Sequence, residues 1–477
     1  MMSEAASLAE TMSASERSRG GRPRPAAPCP HPRRLGLFAA IRAINDNAIS
    51  FFDESAYREA FVEYKALGGV LLVNDPDTVH EVLVTRAANY IKSNQYRRLL
   101  SPSLGNGLLT AEGEAWQATR RTVAPLFSPR AYSQFIDDIK ACTDAMVRRW
   151  RERDDVDSPL DLSAEMQRLT YEVISRTVFS GALDEDRVRI HNAMALYFDT
   201  VCRIDLATIF NLPVWVPTLN RMRARPALAV YRSVVDGLVA RRLGDRDRRT
   251  PDLLDRLMRT SDPKTTATLS EDMICDNIRT FLVAGHDTTA NALAWISYLL
   301  ALHPEAETRA RDEIDEVLGD RPPQVESLER LVFTRAVAKE ALRLYPPVPL
   351  IGRQSLTAVT LGGRRVKPGQ AIIISPWVVH RHRVLWQGPD HFLPERFLPS
   401  EDGGIRDGAY LPFGLGPRSC IGMGFAMQEI LTVVATVLPR FRFRLADAAT
   451  VVPEARATLR PAGGLSVFVA PRSVFPD

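Results

Sequence analysis

The chain has 477 residues, of which 45% are hydrophobic and 25% are charged, and its formal net charge at pH 7 is +4. This composition is typical of globular proteins and excludes a chain that is disordered throughout. A net charge so small over this length argues against a dedicated nucleic-acid-binding protein.

The cysteines and the apolar runs indicate the cellular setting. The five cysteines are far apart and contain no Cys-x-x-Cys pair, which argues against a disulfide framework and a zinc site. Free cysteines favour a reducing compartment. The most apolar stretches, residues 372–379 and 292–302, are too short or too interrupted to cross a bilayer. We therefore expect a cytoplasmic protein without a transmembrane segment.

Residues 1–34 are rich in Ser, Ala, Pro and Arg, and prolines are dense within them, so this segment is predicted to be an unfolded tail. A mitochondrial presequence is the alternative, because such segments are also enriched in Arg and Ser. Glu4, Glu10 and Glu16 argue against that alternative. Residues 35–477 contain no repeat and no linker, and we predict that they form one domain.

Most of this domain has helical periodicity. Helices are predicted, in chain order, at residues 114–127, 129–151, 163–179, 187–206, 226–243, 270–302, 304–318, 333–344 and 420–438. Strands are predicted at residues 67–74, 359–361, 372–379, 441–445 and 465–469. The predicted fold class is therefore mainly α, a helix-rich single domain with a small antiparallel β region.

A glycine-rich loop precedes the last predicted helix and carries a cysteine at the junction. It reads Phe-Gly-Leu-Gly-Pro-Arg-Ser-Cys-Ile-Gly from Phe413 to Gly422. A cysteine at a helix start faces the positive end of the helix dipole and free backbone N–H groups, which lower the thiol pKa and stabilise a metal-binding thiolate. The alternative is that Cys420 is a small buried apolar residue beside a turn.

Five residues of this loop, Phe413, Gly416, Arg418, Cys420 and Gly422, match the signature Phe-x-x-Gly-x-Arg-x-Cys-x-Gly. In this signature the chain resembles the cytochrome P450 family of heme-thiolate monooxygenases. The resemblance implies the cytochrome P450 fold, with Cys420 as the axial ligand of the iron in heme b. It also implies that Phe413, Arg418 and Gly422 contact the cofactor, Arg418 at a propionate.

The longest predicted helix has the sequence Ala-Gly-His-Asp-Thr-Thr at its centre. An acid and a hydroxyl are unusual there, because Asp and Thr are mediocre helix formers, and such a violation often marks function. The resemblance implies that Asp287 and Thr288 are catalytic and relay protons to dioxygen, and that Ala284 and Gly285 lie closest to the heme. The residues alone equally allow Thr288 to bond a backbone carbonyl while Asp287 is solvated or capped. His286 is expected to be structural or to line the pocket.

Glu340 and Arg343 are spaced i, i+3 on a predicted helix and can therefore form an ion pair. An exposed pair of this kind, with a contribution of about 0.3–0.5 kcal/mol, is the default interpretation. The resemblance instead implies that Glu340, Arg343 and Arg396 form a buried triad that locks the segment positioning the cysteine loop.

Four further residues are implied to contact the cofactor. Trp116 and Arg120, spaced i, i+4, match the family's Trp-x-x-x-Arg, whose two side chains contact the heme propionates. Arg353 and His380 are at positions where the family often has further propionate partners. Solvent-facing roles remain the alternative for these last two.

The resemblance extends from about residue 35 to the C terminus, and it implies insertion of one oxygen atom from O2 into an apolar small-molecule substrate. Terpenoids, fatty acids and steroids are the candidate substrates, and residues 91–109 and 196–215 are expected to roof the pocket. Electrons are expected from a ferredoxin or flavodoxin-type donor with its reductase. This donor is predicted to dock near Cys420, at Arg120, Arg121 and Arg418. We further expect a monomeric bacterial protein.

Two other functions would use the same cofactor. A peroxide-driven peroxygenase or rearrangement enzyme generally lacks the acid–alcohol pair that Asp287 and Thr288 retain. A non-catalytic heme sensor would need no proton relay and would usually carry a signalling region, which we do not expect here.

Overall fold

The computed structural model describes residues 23–153, 155, 157–183, 186–201, 216, 218–245, 250, 252–399 and 404–472. Helices dominate this part of the chain. They are α1 Leu37–Asp46, α2 Pro76–His80, α3 Asn94–Leu104, α4 Gly113–Val123, α5 Pro129–Tyr132, α6 Ile136–Arg151, α7 Leu162–Phe179, α8 Arg187–Val201, α9 Leu219–Gly244, α10 Leu253–Arg259, α11 Glu271–Leu302, α12 Pro304–Leu318, α13 Val325–Arg330, α14 Val332–Leu344, α15 Pro376–Val379 and α16 Met423–Val437.

Short strands form the rest of the regular structure. They are β1 Phe61–Tyr64, β2 Val70–Val73, β3 Tyr90–Lys92, β4 Leu160–Asp161, β5 Ile351–Ser355, β6 Val359–Leu361, β7 Arg364–Val366, β8 Ala371–Ile374, β9 Phe441–Leu445, β10 Pro453–Ala455, β11 Leu459–Pro461 and β12 Ser466–Pro471. The largest sheet has the order β1-β2-β8-β5-β3, and all its pairs are antiparallel except β2 with β8. The predicted fold class is confirmed, with this parallel pair as an addition.

The 32-residue helix α11 forms a wall shared by two parts of the core. It begins after Ser270, whose hydroxyl accepts the N–H of Met273. Its first half packs in one hydrophobic cluster with α7, α9 and α10, and its second half packs in another with α14 and α16. The centre of α11, which carries the unusual acid and hydroxyl, therefore lies where the two clusters meet.

The predicted strand at residues 372–379 is wrong in its second half. Strand β8 ends at Ile374, and residues 376–379 form the helical turn α15. The Ser375 hydroxyl caps this turn by accepting the N–H of Val378 at 3.2 Å, and Pro376 stands in its first turn. The run of apolar residues concealed this change, because a buried strand and a buried helical turn look alike in sequence.

Helix boundaries differ from prediction where capping or turns decide them. Helix α9 starts at Leu219, ahead of the predicted start at residue 226, because the Thr218 hydroxyl caps it. The predicted helix 129–151 is divided into α5 and α6 by a 3-10 turn. The last helix, α16, begins at Met423 and not at Cys420. The end of the predicted helix 187–206 lies outside the described residues.

The stretch 23–34 is docked on the domain and is not unfolded as predicted. The backbone N–H of Ala26 donates to the Tyr298 hydroxyl at 3.0 Å, and the Tyr345 hydroxyl donates to the Ala26 carbonyl at 2.8 Å. Two buried tyrosine hydroxyls thereby find partners, which a sequence pattern does not show. Residues 1–22 lie outside the described residues.

Within the described ranges, none of the helices combines the length and the apolar character that crossing a bilayer requires.

Candidate active site

A cavity of about 390 Å³ lies between the centre of α11, the cysteine loop, α4 and β5. Its walls include nearly all of the residues predicted to be catalytic or to contact a cofactor. These are Trp116, Arg120, Ala284, Gly285, Asp287, Thr288, Arg353, Phe413, Arg418, Cys420 and Gly422. The fold thus brings together residues from four separate stretches of the chain.

The cysteine loop turns tightly against the backbone of an earlier segment. Gly416 has a φ of +71°, and a Cβ at this position would lie 2.1 Å from the Leu83 carbonyl oxygen, so only glycine fits. The Cys420 N–H donates to the Phe413 carbonyl at 2.8 Å and closes the loop. This closed turn leaves Cys420 on the cavity wall.

The electrostatic setting of Cys420 differs from the prediction. Burial raises the pKa of the Cys420 thiol, and it outweighs the Gly422 N–H and the Arg120 charge, which both lower it. The helix dipole acts from farther away than expected, because α16 begins only at Met423. A bound metal ion deprotonates a coordinating thiol outright, so it would stabilise the Cys420 thiolate, which the loop alone does not.

Cationic side chains gather at one end of the cavity. Lys92, Arg120, Arg353 and Arg418 all line it. Arg418 forms an ion pair with Glu112, donates to the Ala111 carbonyl at 3.1 Å and stacks over Trp116 at 4.2 Å from the ring centre. Burial is the main cause that lowers the pKa of each of these cations, and for Lys92 the value falls to about 7.

These cations outnumber the carboxylate with which they pair, and this imbalance fits a dianionic cofactor. Charges buried without partners are unfavourable, so the wall is suited to two carboxylates such as the propionates of heme. The chemistry of the donors, an apolar slot with a cysteine on one side and cations at one end, therefore matches heme. Sequence analysis missed Lys92, because a lysine between Ile91 and Ser93 in a short strand gives no sign of burial.

His380 does not lie at the cavity, and its predicted contact with a propionate is wrong. It is completely buried: its Nδ1 lies 3.0 Å from the Arg343 carbonyl, and its Nε2 accepts the N–H of Leu411 at 2.9 Å. Burial lowers the His380 pKa to about 3, so the ring stays neutral and joins α14 to the segment before the cysteine loop.

Asp287 and Thr288, at the centre of α11, both form hydrogen bonds. The Thr288 hydroxyl donates to the Ala284 carbonyl at 2.7 Å, and Asp287 accepts a hydrogen bond from Thr458. The bond of Thr288 is the one that the residues alone allowed, whereas the partner of Asp287 lies far away in sequence, and both residues also line the cavity. His286 contacts the Gln167 carbonyl at 3.1 Å, which is a structural role.

Gly285 serves helix packing as well as the cavity. A Cβ at this position would lie 2.7 Å from the Ile174 side chain on α7. The glycine therefore allows α7 and α11 to approach closely, and the Thr170 hydroxyl donates to the His286 carbonyl across the contact at 3.0 Å.

The structure brings Glu340, Arg343 and Arg396 together in the interior. Glu340 and Arg343 are completely buried and form two hydrogen bonds, at 2.7 and 2.8 Å, and the Arg396 Nε lies 3.2 Å from the same carboxylate. Arg343 also donates to the carbonyls of His380, Pro389 and His391 at 2.6, 2.8 and 2.9 Å. One side chain therefore holds three points of the segment that leads to the cysteine loop.

The three arginines predicted to dock an electron donor contact other groups in the structure. Arg120 and Arg418 line the cavity. Arg121 forms an ion pair with Asp262 at 2.6 Å, and this bond is the main cause that lowers the pKa of the Asp262 carboxyl. Arg120 and Arg418 thus belong to the cavity wall, whereas Arg121 keeps 35% of its side chain exposed, and the docking face stays a prediction.

We predict that Glu340→Gln destabilises the protein by about 3–5 kcal/mol, because the completely buried Arg343 and the partly buried Arg396 would lose their counter-charge. Urea unfolding measures the free energy. The matched control is Glu395→Gln, since Glu395 pairs with Arg309 on the surface, with exposures of 43% and 50%, and should cost about 0–1 kcal/mol. Equal losses in the two variants would contradict a buried triad.

A second prediction concerns Lys92 and the pH dependence of the free energy of unfolding, measured on protein from which any cofactor has been removed. The pKa of Lys92 is about 10.5 in the unfolded chain and about 7 in the folded protein. Between these two pH values the unfolded chain therefore binds more protons than the folded protein. Lys92 should therefore contribute a part of the free energy of unfolding that rises with pH across this range, while the Cys142 thiol, whose pKa is raised by burial, opposes it near the upper end. The difference between the unaltered protein and Lys92→Met should show this rise, whereas the difference from Lys367→Met, at an exposed lysine, should not. A slope unchanged in Lys92→Met would refute the shift.

Comparison with known proteins agrees with this geometry. The family model for cytochrome P450 matches residues 41–467. Cyclooctatin synthase of Streptomyces melanosporofaciens is 34% identical over 84% of this chain and 86% of its own length. Cyclooctat-9-en-7-ol 5-monooxygenase of the same organism is 35% identical, over 72% and 73%. Human cytochrome P450 4F12 is 30% identical, over 84% and 80%.

The family match spans most of the chain, and the cavity unites the cysteine, the cations and the acid–alcohol pair. The chain belongs to the cytochrome P450 family, and it is a monooxygenase that uses heme b and O2.

Proposed function

We propose that this protein hydroxylates a neutral, largely hydrocarbon substrate of the terpenoid class. The observation that carries the proposal is that one cavity holds Cys420, the pair Asp287 and Thr288, and, apart from the cations and several hydroxyl groups, a mainly apolar lining. The apolar wall includes Leu108, Val178, Phe198, Phe281 and Val283. Such a surface binds hydrocarbon by the hydrophobic effect and leaves few polar contacts to orient it.

The distribution of charge argues for a neutral substrate. Among the cations on the described cavity wall, Lys92 and Arg353 lie near Arg418, an arrangement that suits the propionates, and Arg120 lies near Cys420. A fatty acid would need a further cation away from these groups, and among the described residues the rest of the lining is mainly leucine, valine and phenylalanine. The name of one relative describes oxidation of the alcohol cyclooctat-9-en-7-ol, which supports an uncharged cyclic substrate.

Bound heme supplies the iron at which dioxygen is activated by two electrons delivered singly. We propose that Cys420 would hold that iron and that Phe413 and Gly422 would contact the ring. Trp116, Arg120, Arg353 and Arg418, joined by Lys92, would hold the propionates. The positions of these residues on the cavity wall support these roles.

Asp287 and Thr288 are proposed to move protons, with Ala284 and Gly285 leaving room beside them. A carboxylate can take up a proton and a hydroxyl can pass one on, and both line the cavity next to the small side chains. For that function their present bonds, to Thr458 and to the Ala284 carbonyl, must exchange for bonds toward the cavity.

A separate ferredoxin or flavodoxin-type protein with its reductase is proposed as the electron donor. We further propose a monomer in the bacterial cytoplasm. The Streptomyces source of two relatives supports the bacterial origin.

The ligation by Cys420 is tested with Cys420→Ser against Cys275→Ser, a cysteine on α11 that is away from the cavity wall. We expect the reduced, carbon-monoxide-treated protein to lose the long-wavelength absorption of thiolate-ligated heme only in Cys420→Ser.

Product should form with NADPH, donor and reductase. Product formed with peroxide alone would indicate a peroxygenase, and none under either condition would indicate a sensor.

The substrate class is tested by optical titration with cyclooctat-9-en-7-ol and with dodecanoic acid. The neutral alcohol should bind with an at least about tenfold lower Kd, since a buried carboxylate without a partner loses more than 1.4 kcal/mol. Leu108→Lys, which adds a cation to the apolar wall, should narrow or reverse the difference. Preferential binding of the acid to the unaltered protein would overturn the terpenoid assignment.

A further inference from the structure

The catalytic acid proposed above has a partner outside its own helix. The Thr458 hydroxyl, in the turn between β10 and β11, donates a hydrogen bond to Asp287. The Asn291 amide donates to the same hydroxyl at 3.2 Å. Because an amide N–H can only donate and a carboxylate accepts, the single hydroxyl proton of Thr458 must point at Asp287.

This bond turns the acid away from its neighbour in sequence. Successive positions on an α-helix point about 100° apart, so Asp287 and Thr288 project in different directions from α11. Asp287 reaches the hairpin, whereas the Thr288 hydroxyl bonds the Ala284 carbonyl. The two groups that would have to cooperate in proton transfer are thus held by different partners.

The hairpin that carries Thr458 is firmly anchored on its far side. The Leu459 N–H donates to the Pro347 carbonyl at 3.0 Å, and the Trp295 indole donates to the Leu459 carbonyl at 3.1 Å. The Arg456 N–H closes the turn by donating to the Thr458 carbonyl at 3.1 Å. Thr458 therefore presents its hydroxyl from a fixed position.

Charged residues connect the same hairpin to α8. Arg456 and Arg460 both lie within ion-pair distance of Asp199, at 3.5 and 3.3 Å, and both pair with Glu454. Arg460 also attracts Asp287 electrostatically. Thr458 itself lines the cavity, so the acid is tied to a part of the cavity wall that a substrate would meet.

We propose that Thr458 is a positioning residue that fixes the direction of the Asp287 carboxylate and keeps it apart from Thr288. This inference rests on the proposed role of Asp287. It assigns to the hairpin a part in orienting the proposed acid, in addition to its part in shaping the cavity.

The bond is tested on the heme-loaded, substrate-free protein by amide hydrogen exchange of residues 453–461 and by crystal structures of the variants. Thr458→Val should raise the exchange of the hairpin by about tenfold, the factor expected for a lost hydrogen bond to a charged group. In its crystal structure, Asp287 should turn from the hairpin toward the cavity. Thr458→Ser retains the hydroxyl and should resemble the unaltered protein in both measurements.

A double substitution separates this bond from a general loss of packing. Asp287→Ala should raise the exchange as much as Thr458→Val does, and the two changes together should add nothing further. Additive effects, or an Asp287 that keeps its direction in Thr458→Val, would overturn the proposal. These measurements need neither substrate nor electron donor, so a protein that formed no product would refute the proposed function and still leave the role of Thr458 decided.

Discussion

The architecture of the site depends on one buried ion network. Arg343 holds Glu340 on its own helix and three backbone carbonyls of the segment that follows β8. Desolvating these charges is unfavourable, and only complete pairing offsets the cost, so the network tolerates one arrangement of the surrounding chain. The position of the cysteine loop is a consequence of that arrangement.

His380 extends the network to the loop itself. Its ring receives the Leu411 N–H and contacts the Arg343 carbonyl, and Leu411 lies just before Phe413, whose carbonyl bonds the Cys420 N–H. Because burial keeps the ring neutral, one nitrogen donates while the other accepts. The residue is therefore a link between α14 and the loop, and the cofactor contact that the family resemblance implied for it is not found, because the ring is buried away from the cavity.

Two opposite electrostatic environments share the cavity. At one end, Lys92, Arg353 and Arg418 are partly desolvated and lack sufficient negative charge, which favours a dianionic group. Elsewhere the described lining is mainly apolar, with Arg120, Asp287, Cys420 and several hydroxyl groups as the exceptions. A cofactor with a charged edge and an apolar ring satisfies both environments. The apolar part of the lining supports the uncharged substrate that we propose.

The sequence by itself determined the helical fold class and the residues whose order along the chain forms a motif: the loop around Cys420, the pair Asp287 and Thr288, and Glu340 with Arg343. These could be predicted because helical periodicity, glycine-rich turns and fixed spacings are local properties. Contacts between distant segments were decided only by the tertiary structure. Three such features are the burial of Lys92, the link through His380 and the bond from Thr458 to Asp287. Each forms because segments far apart in sequence pack together and remove polar groups from water, so no local sequence pattern predicts it.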